Sequence, residues 1–225
     1  MTTEVVCFPL RGPRTIQVEE ALKKTLNLLT VQEGFERAYW GWQEEDSNIC
    51  WVLVDWTSIE AHLNLQKQDY YKPFVDELDR VANVFQLQAF HAHLSPHPAT
   101  KALSNRTSPA TEICTIHFPA TYAARDKKKF EQDLFNLVRI IESNVPTSTG
   151  FAGGWAVEKL SLPGTSEETT TFIACMGWQS VEAHFAFRET PLFKEHKHLL
   201  DQAKDLMHVQ MVHVSATQVG YGGHF

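Results

Sequence analysis

Residues 178–184 read Trp-Gln-Ser-Val-Glu-Ala-His, and residues 56–62 read Trp-Thr-Ser-Ile-Glu-Ala-His. The two copies lie 122 positions apart, and five of their seven residues are identical. A sixth position differs only by Ile for Val. A match of this quality at one fixed offset indicates an internal duplication. The chain is therefore interpreted as two copies of one unit, and W-x-S-(I/V)-E-A-H is called the repeated motif below.

The bulk composition is that of an ordinary globular protein. The 225 residues are 43% apolar and 21% charged, as in most soluble domains. A net charge of −7 disfavours binding to nucleic acid or to an anionic membrane. The N-terminus shows no signal-peptide pattern, and no apolar run reaches the roughly 18 residues that span a bilayer. We therefore expect a cytoplasmic protein whose cysteines are free thiols: Cys7, Cys50, Cys114 and Cys175.

Hydrophobic periodicity and turn residues predict the order β-α-β-β-α-α-β in the first half, and the second half repeats it. Thr57, with Glu60 three positions later, is predicted to cap the helix at the first copy of the repeated motif. The first-half strands are predicted at residues 4–10, 35–42, 49–56 and 84–93, with a helix at 18–31. The second-half strands are predicted at 112–118, 171–178 and 209–215, with helices at 130–141 and 191–206.

These elements define two structural halves joined by a linker. The first half spans residues 1–94 and the second spans residues 111–218. Residues 95–110 contain three prolines and three serines without periodicity, which predicts a linker. The Gly-rich residues 219–225 are predicted to form a flexible tail.

The predicted strands are apolar on both faces, and the last strand illustrates this pattern. Val209 and Met211 alternate with Val212 and Val214. An antiparallel sheet with helices on one face only should alternate apolar and polar residues, so the second face must also be buried. We therefore predict an α+β fold of two tandem ferredoxin-like halves, with antiparallel sheets and helices on the outer face. The two halves are expected to form a pseudo-dimeric α+β barrel within one chain.

The order of elements, the repeated motif at the entry to the second helix and the extended strand that follows resemble the dimeric α+β barrel superfamily. That superfamily includes antibiotic-biosynthesis monooxygenase-like domains, stress-responsive A/B barrel proteins, haem-degrading monooxygenases and plant polyketide cyclases. The resemblance covers residues 3–94 and 111–218, and the tandem-fused arrangement is similar to fungal proteins. It implies a fold that carries many different chemistries on small molecules.

The sequence departs from the cyclase-like members at the residues that carry their chemistry. Those members use a His on the first strand and a Tyr and a His around the second helix. The matching positions in the second half are Glu112, Phe187 and Phe193. Because the His/Tyr set is absent, any acid or base of this chain must be a different side chain.

Three side chains of the second half are predicted to act as acid or base. His196 lies on the apolar stripe of a helix where the first half has Phe74; it is either buried there, which requires a partner, or partly exposed at the edge of the stripe. Glu112 begins a strand; it is either a carboxylate in an apolar cleft, and then a candidate base, or a strand-end side chain that points to water. His184, like His62, closes the repeated motif, where it either faces a pocket or fixes the helix by a local hydrogen bond.

Other histidines suggest a metal site, but their surroundings do not complete it. His91 and His93 lie two positions apart on a predicted strand, so their side chains share one face, and His97 follows them. His208 and His213 lie near the corresponding end of the second half. No Cys, Asp or Glu nearby completes a ligand set, and the chain lacks G-x-G-x-x-G, P-loop, G-x-S-x-G and H-E-x-x-H motifs. We therefore predict neither a metal nor a cofactor.

Together these patterns predict a cofactor-free enzyme that transfers protons on a hydrophobic small molecule. Cyclisation, isomerisation or decarboxylation of a polyketide-type substrate fits, with His196, Glu112 and His184 as catalytic residues. The predicted substrate-binding residues are Phe187, Phe193, Cys114, Ile116 and Trp178. Two alternatives stay open: a monooxygenase of the antibiotic-biosynthesis type, without cofactor or with haem, and a non-catalytic ligand-binding or stress-response protein. A pseudo-dimer within one chain is expected, and a further homodimer is left open.

Overall fold

The computed structural model describes residues 1–220, which form two compact units. Unit 1 contains residues 1–93 together with 214–220, and unit 2 contains residues 94–213. In each unit an antiparallel sheet buries one face against helices. No helix among residues 1–220 is long and apolar enough to cross a membrane. All four cysteines are free.

Unit 1 has the element order predicted from its sequence. The elements are β1 (Thr2–Pro9), α1 (Ile16–Leu26), β2 (Phe35–Gln43), β3 (Ile49–Trp56), α2 (Ile59–Leu65), α3 (Tyr71–Leu78) and β4 (Gln88–Ala92). The strands lie in the order β4-β1-β3-β2, and all of them pair antiparallel. β4 is shorter than the predicted strand at 84–93, because residues 84–86 form a 3-10 turn.

The sheet of unit 1 is buried on both faces, as the apolar strands predict. Phe8 and Val54 pack on the helix-facing side together with Leu22 of α1. Val5 and Leu53, which are opposite each other in the β1–β3 register, lie on the other face and are also buried. Successive residues of a strand point to opposite faces of the sheet. Because both sets of alternating positions carry apolar side chains, both faces must be buried.

Unit 2 repeats this order and adds short elements to it. It contains α4 (Thr100–Leu103), β5 (Ala110–Pro119), α5 (Ala124–Asn144), β6 (Ser148–Trp155), β7 (Leu160–Ser161), β8 (Glu168–Trp178), α6 (Val181–Arg188), α7 (Pro191–His196), α8 (His198–Asp201) and β9 (His208–Gly220). The strand order is β9-β5-β8-β6, with the short β7 beside β8. The predicted helix at 191–206 is therefore two short helices, and only residues 208–213 of β9 belong to this unit.

Residues 95–110 are folded, in contrast to the linker predicted for them. α4 lies within this segment, and Ala102, Leu103 and Ser104 are buried. Ser95 forms a bridge with Gly153 of β6. A helix of four residues is too short to show a 3.6-residue period in its sequence, so the prolines and serines around it dominated the pattern.

The last strand is longer than predicted and crosses the division between the units. Residues 214–220 pair antiparallel with β2, from Gln43 opposite Val214 to Arg37 opposite Gly220. They thereby cover an edge of β2 that would otherwise expose unpaired backbone groups. This corrects the predicted second half of residues 111–218. Within the predicted tail of residues 219–225, positions 219 and 220 are in the strand, and residues 221–225 lie outside the described residues.

The repeated motif forms the same corner in both units. Ser58 Oγ accepts a hydrogen bond from the backbone N–H of Ala61 at 3.2 Å, and Ser180 Oγ accepts from Ala183 at 3.1 Å. The serine of the motif is therefore the N-cap, rather than the predicted Thr57. Each cap fixes the point at which the helix begins, and with it the position of the histidine one turn later.

Candidate functional site

The repeated motif places a tryptophan and a histidine face to face in each unit. Trp178 is the last residue of β8, and His184 lies one turn into α6. Their rings stack with centroids 4.9 Å apart. Trp56 and His62 stack in the same way in unit 1, with centroids 5.3 Å apart. The motif is thus a strand-turn-helix corner that holds an imidazole against an indole.

In unit 2 a carboxylate and a second histidine complete this arrangement. Trp178 Nε1 donates to Glu112 Oε2 at 3.1 Å, and His184 Nε2 lies 3.3 Å from the same oxygen. On the other side of the ring, His184 Nδ1 lies 2.8 Å from His213 Nε2. Glu112 is on β5 and His213 is on β9, which are neighbouring strands. These four residues are called the unit 2 site.

Unit 1 contains the same four residue types in the same arrangement. Trp56 Nε1 donates to Glu4 Oε2 at 3.0 Å, and His62 Nε2 lies 3.5 Å from Glu4 Oε1. His62 Nδ1 lies 2.8 Å from His91 Nε2. Glu4 and His91 are directly opposite each other on β1 and β4. These residues are called the unit 1 site.

The second histidine of each site was not predicted from the sequence, although the sequence contains a signal for it. His213 follows His91 by 122 positions, the same offset that separates the two motif copies. The sequence pattern instead placed His91 beside His93 on one strand face, as a possible metal site that no further ligand completed. His93 Nδ1 lies 3.2 Å from the carbonyl oxygen of Met1. Within residues 1–220 no group of three or more His, Cys, Asp or Glu side chains is arranged to hold a metal ion.

One arrangement of protons satisfies the unit 2 site when the carboxylate is ionised. His184 Nε2–H donates to Glu112, so a neutral His184 accepts at Nδ1 from the Nε2–H of His213. An added proton can reside on the Glu112 carboxylate. Alternatively, it can convert His184 to imidazolium, and Nδ1–H of His184 then donates to Nε2 of His213. The three hydrogen-bonded side chains of Glu112, His184 and His213 can therefore take up and release one proton while the hydrogen bonds between them persist.

The imidazoles of the unit 2 site are buried, whereas its carboxylate keeps some contact with solvent. The side chain of Glu112 is 15% exposed and that of His184 is 5% exposed. Burial lowers the pKa of His184; the Glu112 carboxylate acts in the opposite direction, and His213 and Arg188 lower the pKa further. His184 is therefore neutral near neutral pH, and Glu112 is more exposed to solvent than His184.

The structure joins Glu112 to His184, two of the three predicted catalytic residues, and gives His196 a different partner. His196 Nδ1 lies 3.0 Å from the carbonyl oxygen of Leu192 in its own helix. α7 ends at His196 after six residues. The helix predicted at 191–206 is therefore interrupted after His196, and His196 is half-buried at a helix end rather than deeply buried.

The predicted substrate-binding residues lie on the helix-facing side of unit 2. Phe187 lies 5.4 Å from Trp178, and Phe193 lies 5.3 Å from Phe187, between ring centroids. Cys114 Sγ lies 3.2 Å from the second oxygen of the carboxylate, and burial raises the pKa of this thiol well above its usual value. Ile116 is buried in the same apolar core. The site is thus bordered by aromatic rings and a protonated thiol.

A separate cavity of about 670 Å³ lies between α4, α5 and β6 of unit 2. Its apolar wall includes Phe135, Val138 and Phe151, and Lys101 and Arg139 also line it. The residues of the unit 2 site do not line this cavity.

The chain is similar to proteins of known structure in its fold. No family model matches the sequence, and no curated protein matches it. An anthrone oxidase-like protein of known structure is 13% identical, with a TM-score of 0.74 over 100% of this chain and 94% of that chain. The chain and this protein share one ferredoxin-like α+β fold.

Two further structures, described as proposed monooxygenases, share that fold. The protein from Lactobacillus acidophilus is 11% identical, with a TM-score of 0.61 over 100% of this chain and 97% of its own. The protein from Fusobacterium nucleatum is 12% identical, with a TM-score of 0.63 over 100% of this chain and 95% of its own. The predicted α+β class with two tandem ferredoxin-like halves is confirmed. At these identities the likeness establishes the fold, and the function must be argued from the sites.

Proposed function

We propose that the chain is a small-molecule enzyme that transfers protons through its Glu–His–His sites. The observation that carries this proposal is the recurrence of one buried arrangement, with the two imidazoles 2.8 Å apart in both units. A buried polar network destabilises a fold unless its members are paired. Its presence in both units, beside neighbouring side chains that differ, favours a chemical role over a packing role.

The carboxylate is the group that would remove a proton from the substrate. In the proposed reaction a C–H bond next to a carbonyl group breaks, and its proton moves to Glu112. The electron pair of that bond delocalises onto the carbonyl oxygen as an enolate. His184 and His213 then accommodate the change of charge, because their hydrogen bonds can reverse. Return of the proton to a different carbon completes an isomerisation. In a cyclisation the enolate carbon instead forms a bond to a second carbonyl carbon of the substrate, the π bond of that carbonyl breaks, and the proton moves from the carboxylate to its oxygen.

The surroundings favour a hydrophobic, ring-bearing substrate. Trp178, Phe187 and Phe193 form a continuous row of rings that begins at the carboxylate. Aromatic side chains of this kind bury flat apolar molecules well. A polyketide-type aromatic ketone, with an acidic C–H bond beside its carbonyl group, combines both requirements.

A cofactor-independent monooxygenase is the second candidate, because the structural neighbours are described as monooxygenases and as anthrone oxidase-like. The first step would be the same removal of a proton by the carboxylate. The resulting carbanion would then react with O₂. For a CH₂ group between two rings, the balanced reaction with one O₂ gives a C=O group and one water. The two candidates differ only in the fate of the carbanion.

Deuterium exchange tests the shared step and separates the candidates. Aromatic 1,3-diketones and hydroxyanthrones are incubated with the protein in D₂O, with exchange followed by NMR and O₂ uptake by an electrode. Proton transfer alone gives exchange without O₂ uptake, and a monooxygenase gives both. Glu112→Gln and Glu4→Gln should each lower exchange, whereas His198→Gln, at an exposed histidine of α8, should not. Binding without exchange or uptake would show a ligand-binding protein and refute the proposal.

A further inference from the structure

The two Glu–His–His sites differ at the residue that follows the motif histidine by four positions. This residue is Gln66 after His62 in unit 1 and Arg188 after His184 in unit 2. Residues four apart on a helix lie on the same face, so each side chain borders its site. One site thus has a neutral amide where the other has a permanent positive charge.

Gln66 is part of a neutral hydrogen-bond network in unit 1. Its Nε2 lies 3.2 Å from His62 Nε2, and its side chain also hydrogen-bonds to Tyr71. Burial raises the pKa of Tyr71, and the Glu4 carboxylate raises it further, so the phenol is protonated. Beside the Glu4 carboxylate, the unit 1 site therefore offers an amide and a phenol, both of them uncharged.

Arg188 has no carboxylate partner among residues 1–220. Its guanidinium carbon lies 5.9 Å from the ring centroid of Phe193, and its Nη1 lies 4.0 Å from Met211 Sδ. These contacts leave the five N–H donors of the guanidinium without an oxygen acceptor in the described part of the chain. The side chain is nevertheless half-buried. A partly desolvated cation with free donors is suited to bind an anionic oxygen.

We propose that the unit 2 site takes an aromatic substrate with an anionic oxygen (a phenolate, enolate or carboxylate), and that Arg188 binds this oxygen. The inference rests on the proposed proton transfer and names the substrate class of one site. The Glu112 carboxylate alone would repel such a substrate, and the guanidinium offsets the repulsion. Unit 1, with Gln66 and Tyr71 at the matching positions, takes the neutral form.

The same contact also serves the reaction. When a C–H proton moves to Glu112, the electron pair moves onto the carbonyl oxygen of the substrate. Donors that are already in place stabilise the charge that develops on such an oxygen, and the Arg188 guanidinium supplies them. The step needs neither an oxidant nor a reductant, because the proton remains on the carboxylate until it returns to carbon.

A matched pair of probes tests this inference by calorimetry: 3-hydroxy-2-naphthoate, which is an anion, and its neutral methyl ester. The wild-type protein should bind the anion at one site per chain, about tenfold or more tightly than the ester. Arg188→Gln, which copies unit 1, should remove this preference. Arg188→Lys should restore part of it. The reciprocal variant Gln66→Arg should add a second anion site per chain.

Several results would overturn the inference. The first is an Arg188→Gln protein that melts at the wild-type temperature and still prefers the anion. The second is a wild-type protein that binds both probes with equal affinity. The third is a wild-type protein that binds neither probe. A Gln66→Arg protein without a second anion site would overturn the assignment of unit 1. Glu112→Gln separates this inference from the proposed function, because it should keep anion binding while losing C–H exchange of the anionic substrate. Persistent exchange of that substrate in the variant would refute proton transfer by Glu112 and leave the anion site standing.

Discussion

Unit 1 and unit 2 keep the same four polar residues but surround them differently. His62 in unit 1 and His184 in unit 2 each contact a carboxylate, an indole and a second imidazole. Beyond these contacts, Gln66 and Tyr71 of unit 1 correspond to Arg188 and Phe193 of unit 2. The duplicated chain thus combines a constant Glu–His–His arrangement with variable surroundings. If the constant residues transfer protons as proposed, the surrounding residues are the ones that distinguish the substrates of the two units.

The largest expected effect comes from the central histidine of one site. With an anionic aromatic substrate, His184→Gln should lower the rate of C–H exchange by about 10²–10⁴-fold, the usual contribution of a general acid–base group. His62→Gln is the matched variant of unit 1, and it should leave the exchange of this substrate close to wild type. An equal loss in both variants would contradict the assignment of the anionic substrate to unit 2. Exchange is measured by NMR in D₂O.

The next largest effect concerns a segment of unit 2 that sequence patterns assign to a linker. Leu103 is fully buried, so Leu103→Ala should lower the free energy of unfolding by about 2–5 kcal/mol. Lys101→Ala, at an exposed position of the same short helix, is the control and should change it by less than about 0.5 kcal/mol. Denaturant titration measures both. A loss below about 0.5 kcal/mol for Leu103→Ala would mean that the segment is the linker its sequence suggests.

The repeated motif made much of this structure predictable. It located Trp56, His62, Trp178 and His184, and its serines mark where two helices begin. The fold class followed, because strand, turn and helix signals are local and occur twice. Glu112 was also predicted as a base, from its place at the start of a strand.

The pairing of distant residues was not predictable in the same way. Glu112 and His213 lie on either side of the His184 ring because β9 lies beside β5. Local sequence patterns do not specify the order of strands in a sheet. The same limit applies to residues 214–220, which pair with β2 rather than with the half that precedes them. His196 shows the opposite error, since the apolar pattern ran past the true end of α7.

A buried histidine of unit 2 should make stability depend on pH. His117 Nδ1 lies 2.9 Å from Thr169 Oγ1 and 3.1 Å from Thr171 Oγ1, and burial lowers the pKa of His117 from 6.5 to about 4. The unfolded chain therefore binds a proton more readily than the folded one. Stability should be complete above about pH 6.5 and fall by up to about 3 kcal/mol as the pH drops to about 4. Unfolding titrations across this range should show a smaller slope for His117→Gln, and an unchanged slope would contradict the assignment.

The smallest expected effect distinguishes two histidines of the same unit. His196→Gln removes a half-buried ring bonded to its own helix, so C–H exchange should change by less than about threefold and stability by less than about 0.5 kcal/mol. The His196→Gln protein is compared with His184→Gln in the same exchange assay and with the same substrate. A loss of about 10²-fold or more in His196→Gln would restore His196 as the catalytic histidine and move the site toward α7.

The most direct test of the account is the double variant Glu4→Gln/Glu112→Gln. Gln keeps the size of the side chain but cannot accept a substrate proton as a carboxylate does, so both sites are disabled together. We expect a melting temperature near that of the wild type and a loss of C–H exchange of about 10²–10⁴-fold for neutral and anionic substrates alike. Wild-type exchange in a folded double variant would contradict the claim that the two Glu–His–His sites transfer protons.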